Sequence, residues 1–108
     1  MALGSCIFCK IISKEIPSSF IAETEDLVVL KDLYPKAPTH YLIIPKKHIP
    51  NVLSLNDKDL AGKMFDMVRT LSEKIGNSSF KLAINSGKFQ HVPHLHMHFL
   101  AGDSIELV

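Results

Sequence analysis

The segment from His94 to His98 constrains this chain more than any other, because histidines and apolar residues alternate along it. In a β-strand, successive side chains point to opposite faces of the sheet. We therefore predict that His94, His96 and His98 share one face, while Leu95 and Met97 point the other way, onto a helix. Histidine is a rare residue, and its use at three alternate positions indicates chemistry rather than a solvated strand surface.

Imidazole suits covalent phosphoryl chemistry, because its neutral nitrogen can attack phosphorus and a neighbouring ring can donate a proton. The preceding loop carries groups that such a site needs. Asn85 can donate to a phosphate, Gly87 permits close backbone approach, and the backbone N–H groups of Gln90 and His91 can meet an anion. From the residues alone, a catalytic zinc site made by all three strand histidines stays open as an alternative.

The order of elements predicts an α+β domain with a mainly antiparallel sheet. A long helix is indicated by apolar residues at three- and four-residue steps from Leu60 to Ile75, with Asn56 or Asp57 as its cap. The other predicted elements are a short helix over residues 10–16, β-runs over 20–24 and 27–30, and strands over 41–45, 80–84 and 94–101.

Composition narrows the class of protein. A chain of 108 residues with 46% hydrophobic residues predicts one domain, residues 1–108, that buries a core without disulfides. Lys and Arg number 12 against 11 Asp and Glu, a balance that argues against nucleic acid as a partner. No apolar stretch approaches the ~20 residues that cross a bilayer. We therefore expect a cytoplasmic protein with no membrane partner.

Cys6 and Cys9 stand in a C-x-x-C spacing with three interpretations. They can be buried thiols, a redox pair or half of a metal site. A thioredoxin-like redox motif belongs inside a βαβ pattern, whereas this one opens the chain. A structural tetrahedral zinc would need two more ligands, commonly histidines.

Residues 94–100, His-Leu-His-Met-His-Phe-Leu, resemble the signature of the histidine triad (HIT) family of nucleotide hydrolases and transferases. The resemblance covers nearly the whole chain. Residues 6–17 are similar to the family's N-terminal segment, and residues 32–40 and 43–49 are similar to its central motifs. Several motifs in the right order are more specific than the triad alone.

The resemblance is closest to the Hint branch, which hydrolyses purine nucleoside phosphoramidates and aminoacyl adenylates. It implies a five-stranded α+β fold, with one long and one short helix, that dimerises into a ten-stranded sheet. It also implies that His96 forms a nucleotidyl intermediate that water then hydrolyses, and that His98 contacts the phosphate. Fhit-type hydrolysis of dinucleotide polyphosphates, or a regulatory module that binds nucleotides without turnover, remain the alternatives.

The resemblance further assigns residues to a nucleotide site and a metal site. Asp32 would bind the ribose hydroxyls with Leu33 beside it, and Phe8 would form a wall of the purine site. Bacterial members pair the C-x-x-C with two histidines around a structural zinc, and no organic cofactor is implied. The remaining implied residues are Asn85, Gln90 and His91 near the phosphate, His91 standing where the family has serine, and Cys6, Cys9, His48 and His94 as zinc ligands.

Overall fold

A five-stranded antiparallel sheet and two α-helices make up the computed structural model, which describes residues 6–103 and 105. The strands lie in the order β1-β2-β3-β5-β4, and every neighbouring pair is antiparallel. The predicted α+β fold is confirmed. In chain order the elements are α1 (Ile7–Ile12), β1 (Ala22–Glu23), β2 (Leu27–Lys31), β3 (Thr39–Pro45), α2 (Lys58–Ile75), β4 (Phe80–Ala83) and β5 (Met97–Ala101).

Helix α2 covers one face of the sheet. Its N-cap is Asp57, whose carboxylate accepts from the Leu60 N–H at 3.0 Å, and it ends at Gly76 in the left-handed conformation. The helix is amphipathic, and no helix among the described residues is long and apolar enough to span a bilayer. Its buried stripe packs on the side chains of β2, β3 and β5 that point toward it, and consists of Leu60, Met64, Met67, Val68 and Leu71.

The opposite face of the sheet is covered only in part. Val28, Leu30, Leu42 and Ile44 alternate with the residues beneath α2 and form a second buried cluster with Cys6 and the first turn of α1. Helix α1 is six residues long, so it shields only one end of this face. The cavity described below lies at the end of this face that α1 leaves uncovered.

The short helix differs from the predicted span of residues 10–16. It starts at Ile7, where Cys6 caps it through a contact between its sulfur and the Cys9 N–H. It ends at Ile12, because Lys14 adopts a positive φ of 67° and the N–H groups of Glu15 and Ile16 both turn back to the Lys10 carbonyl.

Strand β5 also begins later than the predicted residue 94. Its ladder starts at Met97, and the Leu95 N–H donates instead to the carbonyl of Ile49 at 2.7 Å. The side-chain alternation nevertheless continues upstream, since Leu95, Met97 and Phe99 all lie in the cluster beneath α2. His94 therefore lies outside the ladder of β5, whereas His98 lies within it.

Candidate active site

A cavity of about 820 Å³ opens on the part of the sheet that α1 leaves uncovered. Its apolar walls come from α1 on one side and from Leu30, Leu42 and Leu100 on the sheet. A volume of this size matches a small-molecule site. Its polar lining includes Asp32, His40, Asn85, His91, His96 and His98.

His96 is held in one tautomer. Its Nδ1 lies 2.8 Å from the carbonyl oxygen of His94, and a carbonyl can only accept, so Nδ1 carries the proton. The other nitrogen, Nε2, keeps its lone pair, has no hydrogen-bond partner among the described residues and is not fully buried. His96 thus presents an unprotonated ring nitrogen in a residue that lines the cavity.

His94 does not share the cavity with the other two histidines. It is fully buried, and its Nε2 donates to the Pro45 carbonyl at 2.8 Å, which leaves Nδ1 as an acceptor. Burial lowers its pKa, with a smaller opposing effect from the bond to Pro45. Phe8 packs edge-on against both His94 and His96, with ring centroids 5.7 and 5.2 Å away. The three histidines are therefore divided between two sites.

His98 stands 5.1 Å from His96 between ring centroids and is only partly buried. Its Nδ1 lies 2.8 Å from Nε2 of His40 and 4.0 Å from a carboxylate oxygen of Asp32. Burial lowers the pKa of His98 to about 4, and the nearby His96 and His40 act in the same direction. At neutral pH this ring is uncharged.

His40 is a cavity residue that the sequence-based site omitted. It is buried at the start of β3, and its Nδ1 accepts from the Lys36 N–H at 3.0 Å. Its Nε2 also lies 3.4 Å from Asp32, and burial lowers its pKa. One feature of the sequence could have suggested this residue. His40 and Leu42 are alternate residues of a strand, so His40 shares a face with Leu42, which also lines the cavity.

The predicted nucleotide-binding residues separate into two groups. Phe8, Asp32, Leu33, Asn85 and His91 all line the cavity, and the Asn85 amide nitrogen is 3.5 Å from Nε2 of His98.

Gln90 is placed differently, because it is not among the residues that line the cavity. Its side-chain amide donates to the carbonyls of Pro50 and Val92, at 2.6 and 2.9 Å. The structure therefore gives this side chain a role in holding the loop.

The two cysteines and two of the histidines form a second cluster behind the cavity. The ligand atoms of Cys6, Cys9, His48 and His94 all lie within 4.8 Å of one another. Nδ1 of His94 is 3.3 Å from the Cys6 sulfur and 3.6 Å from the Cys9 sulfur, and Nδ1 of His48 is 3.2 Å from Cys9. Both cysteines are free thiols, and this set of four groups could hold a metal ion.

The Cys9 thiol in this cluster is protonated at neutral pH when no metal is bound. Burial, with help from Cys6, raises the pKa of the Cys9 thiol to about 11. The buried Nε2 of His48 has no hydrogen-bond partner among the described residues. A buried polar atom without a hydrogen-bond partner costs about 1–3 kcal/mol of desolvation free energy.

Comparisons with known proteins agree with this geometry. A family model described as "scavenger mRNA decapping enzyme C-term binding" matches residues 5–107. Protein HitA of Neisseria gonorrhoeae is 40% identical over 103 residues, which cover 91% of this chain and 96% of HitA.

Solved structures are similar over the same length. A histidine triad protein from Clostridium difficile superposes with a TM-score of 0.91 at 34% identity, covering 100% of this chain and 99% of that one. A HIT family hydrolase from Legionella pneumophila superposes with a TM-score of 0.87 at 37% identity, covering 93% and 95% of the two chains.

Proposed function

The chain belongs to the histidine triad family, and from this premise we propose that it is a nucleotide hydrolase that acts at the α-phosphorus through His96. The proposed substrates are purine nucleoside phosphoramidates or aminoacyl adenylates, and the products are a nucleoside monophosphate and the released amine or amino acid. We further propose that residues 1–108 act as one catalytic domain.

The observation that carries this proposal is the state of the His96 ring. A nucleophilic imidazole needs a lone pair facing the substrate, and the bond from Nδ1 to the His94 carbonyl leaves that lone pair on Nε2. Nε2 attacks the α-phosphorus, a P–N bond forms, and the bond to the leaving group breaks. The amine of a phosphoramidate takes up a proton as it leaves, whereas the carboxylate of an aminoacyl adenylate leaves without one. Water then cleaves the P–N bond, releases the nucleoside monophosphate and regenerates His96.

The remaining cavity residues supply binding and orientation. His98 and Asn85 would hydrogen-bond the phosphate, and Asp32 would accept from the ribose hydroxyls at the cavity edge. Phe8 and Leu33 are apolar and would flank the base. His91 is exposed and lines the same cavity, and it would donate the proton to an amine leaving group. Gln90 would act through the loop rather than through the substrate.

We propose that the metal bound by Cys6, Cys9, His48 and His94 is a structural zinc. Two sulfur and two nitrogen ligands are a common tetrahedral zinc set, whose ideal S···N separation is about 3.5 Å. The observed separations of 3.2–3.6 Å are close to that value. This assignment supports His96 as the nucleophile, because the zinc would anchor His94, whose carbonyl orients the His96 ring.

We also propose a homodimer in which β4 pairs with β4 of a second copy. In the described residues β4 is an edge strand, and all four of its residues are partly exposed. An unpaired edge presents free N–H and C=O groups that another strand can satisfy. Joining two five-stranded sheets in this way gives ten strands, and sedimentation analysis would detect a monomer if the proposal is wrong.

The test of the catalytic proposal compares the native protein with His96→Ala on adenosine phosphoramidate. Rapid quench in alkali followed by mass spectrometry should detect a nucleotidyl adduct on His96 in the native protein and none in the variant. We expect AMP still to bind the variant while turnover is lost. Removal of a general base alone would cost about 10²–10⁴-fold, so near-complete loss supports a covalent role.

Three outcomes would contradict the proposal. Appreciable turnover by His96→Ala would exclude the covalent role of His96. Tight AMP binding by the native protein, without turnover of phosphoramidate or adenylate, would indicate a regulatory module. Faster cleavage of a dinucleotide polyphosphate, measured in parallel, would instead indicate a Fhit-type enzyme.

A further inference from the structure

A continuous line of polar groups runs from the backbone of the loop before β3 into the cavity. The Lys36 N–H contacts Nδ1 of His40 at 3.0 Å, and Nε2 of His40 contacts Nδ1 of His98 at 2.8 Å. The other nitrogen of His98 faces Asn85 at the cavity wall. His40 and His98 are 58 residues apart in the chain, so the strands β3 and β5 bring them together.

The proton positions along this line follow from its first member. A peptide N–H can only donate, so Nδ1 of His40 must accept and carries no proton. A neutral His40 then holds its proton on Nε2, and burial lowers the pKa of this ring, which favours the neutral form. The 2.8 Å contact therefore has His40 as donor and Nδ1 of His98 as acceptor. The proton of His98 is left on Nε2, on the cavity side.

The same assignment excludes metal binding by this trio in its observed geometry. The ligand atoms of Asp32, His40 and His98 lie close enough to hold a cation. A metal on Nε2 of His40 would require the ring proton on Nδ1, where it would meet the Lys36 N–H head-on. In the hydrogen-bond relay each donor faces an acceptor. With a metal on Nε2 of His40, the Nδ1 proton of His40 would face the Lys36 N–H, and both are donors.

Asp32 is the group that makes the relay necessary. Its carboxylate lies 3.4 Å from Nε2 of His40 and 4.0 Å from Nδ1 of His98, so it favours a proton between these two nitrogens. Without the donor on His40, it would attract that proton to Nδ1 of His98. His98 would then switch tautomer, and its Nε2 would become an acceptor that repels phosphate oxygens. Asn85 faces Nε2 of His98, and rotation of its amide lets the carbonyl oxygen accept this proton while no substrate is bound. A bound phosphate then takes the place of Asn85 as the acceptor.

We propose that His40 is a positioning residue that locks His98 as a hydrogen-bond donor toward the phosphate, and this inference rests on the proposed function. The two cavity histidines are thereby fixed in opposite tautomers. His96 has its proton on Nδ1 and a free Nε2 lone pair, whereas His98 has a free Nδ1 lone pair and its proton on Nε2. One ring attacks phosphorus and the other binds the phosphate oxygens, and neither needs a charge.

The first test reads the tautomers directly. Long-range ¹H–¹⁵N correlation spectra of the native protein near neutral pH distinguish the two neutral forms of each imidazole. We expect His98 to carry its proton on Nε2 and His96 on Nδ1. A native His98 with its proton on Nδ1 would overturn the proposal. This readout does not depend on turnover, so an inactive native protein would refute the proposed function and leave the tautomer result to stand.

The second test uses two isosteres of His40. The amide of Asn occupies the place of Nδ1, so His40→Asn can still accept from Lys36 but cannot donate to His98. The amide of Gln occupies the place of Nε2, so His40→Gln keeps the donor to His98 and loses the acceptor for Lys36. Thermal melting of both variants establishes that they fold.

The relay predicts a definite order for these variants. His40→Asn should shift His98 toward the other tautomer and lower kcat/KM about tenfold, the rate equivalent of one hydrogen bond. His40→Gln should keep the native tautomer and lose no more than about threefold. The reverse order, or equal losses with an unchanged His98 spectrum, would show that His40 merely supports the loop.

Discussion

We predict that acid lowers the free energy of unfolding of this protein through His98, because the folded structure disfavours the protonated form of this ring. Desolvation lowers the pKa of His98 to about 4, and His96, His40 and the more distant His91 oppose its protonation while Asp32 weakly favours it. A histidine in the unfolded chain titrates near 6.5. The unfolded state therefore binds a proton that the folded state resists. Stability is fully present above about pH 6.5 and is lost as the pH falls toward 4.

The size of the effect follows from these two pKa values. At about pH 5 the linkage relation gives a loss of about 2 kcal/mol for this one group. His98 has 16% of its side chain exposed, so solvent screening takes away little of that amount. The hydrogen bond from His40 adds to the effect of burial on the pKa of His98, because a second proton on Nδ1 of His98 would face the donor proton of His40.

Urea unfolding at about pH 7 and about pH 5 measures this loss. The matched variant is His98→Asn, whose amide oxygen can still accept from His40 but cannot titrate. We expect the native protein to lose about 2 kcal/mol more than the variant between the two pH values. Other groups with lowered pKa, such as His40 and His94, contribute to both proteins and cancel in the difference.

A second variant, His91→Gln, controls for the removal of a histidine from the same cavity. His91 is exposed, so most of the native pH dependence should remain. Equal acid sensitivity of the native protein and His98→Asn would refute the reasoning, since it would place the titration of His98 at the same pH in the folded and unfolded states.

Three further predictions concern two glycines and the metal. Gly62 lies exposed in α2 with nothing within 4 Å of an added Cβ, so Gly62→Ala should stabilise by up to about 1 kcal/mol in urea unfolding. Gly102 has a φ of 127°, and an added Cβ would lie 2.6 Å from a ring carbon of Pro38, so Gly102→Ala should destabilise by about 1–3 kcal/mol. Elemental analysis should find about one zinc per chain, lost when Cys6 and Cys9 are both replaced by serine. Zinc retained by that double variant would contradict this set of ligands.

The predicted site needed tertiary information at two places. His40 lay outside it, because the alternation of His40 with Leu42 shows only which face of the strand it shares, and its contact with His98 joins two different strands. Gln90 was expected near the phosphate, whereas its amide is bound to the carbonyls of Pro50 and Val92. The phosphate-binding role of the other loop residues stays a prediction, although Asn85 and His91 do line the cavity.

The sequence by itself determined the features that depend on neighbouring residues. The apolar steps of α2 and the alternation from Leu95 to Phe99 fixed which face of each element is buried, because backbone geometry sets those periods. The triad motif likewise indicated imidazole chemistry, since its three histidines lie within five residues of one another and stay close in any fold.

Only the tertiary structure decided which groups each histidine ring contacts. The roles of the rings depend on hydrogen bonds to distant partners, with Pro45 lying 49 residues from His94 and Cys6 lying 88 residues from it. An imidazole acts as nucleophile, donor or ligand according to which nitrogen carries its proton, and that is set by the group on its far side. Those groups come from the C-x-x-C segment, β3 and the loop before it, and folding alone brings them together.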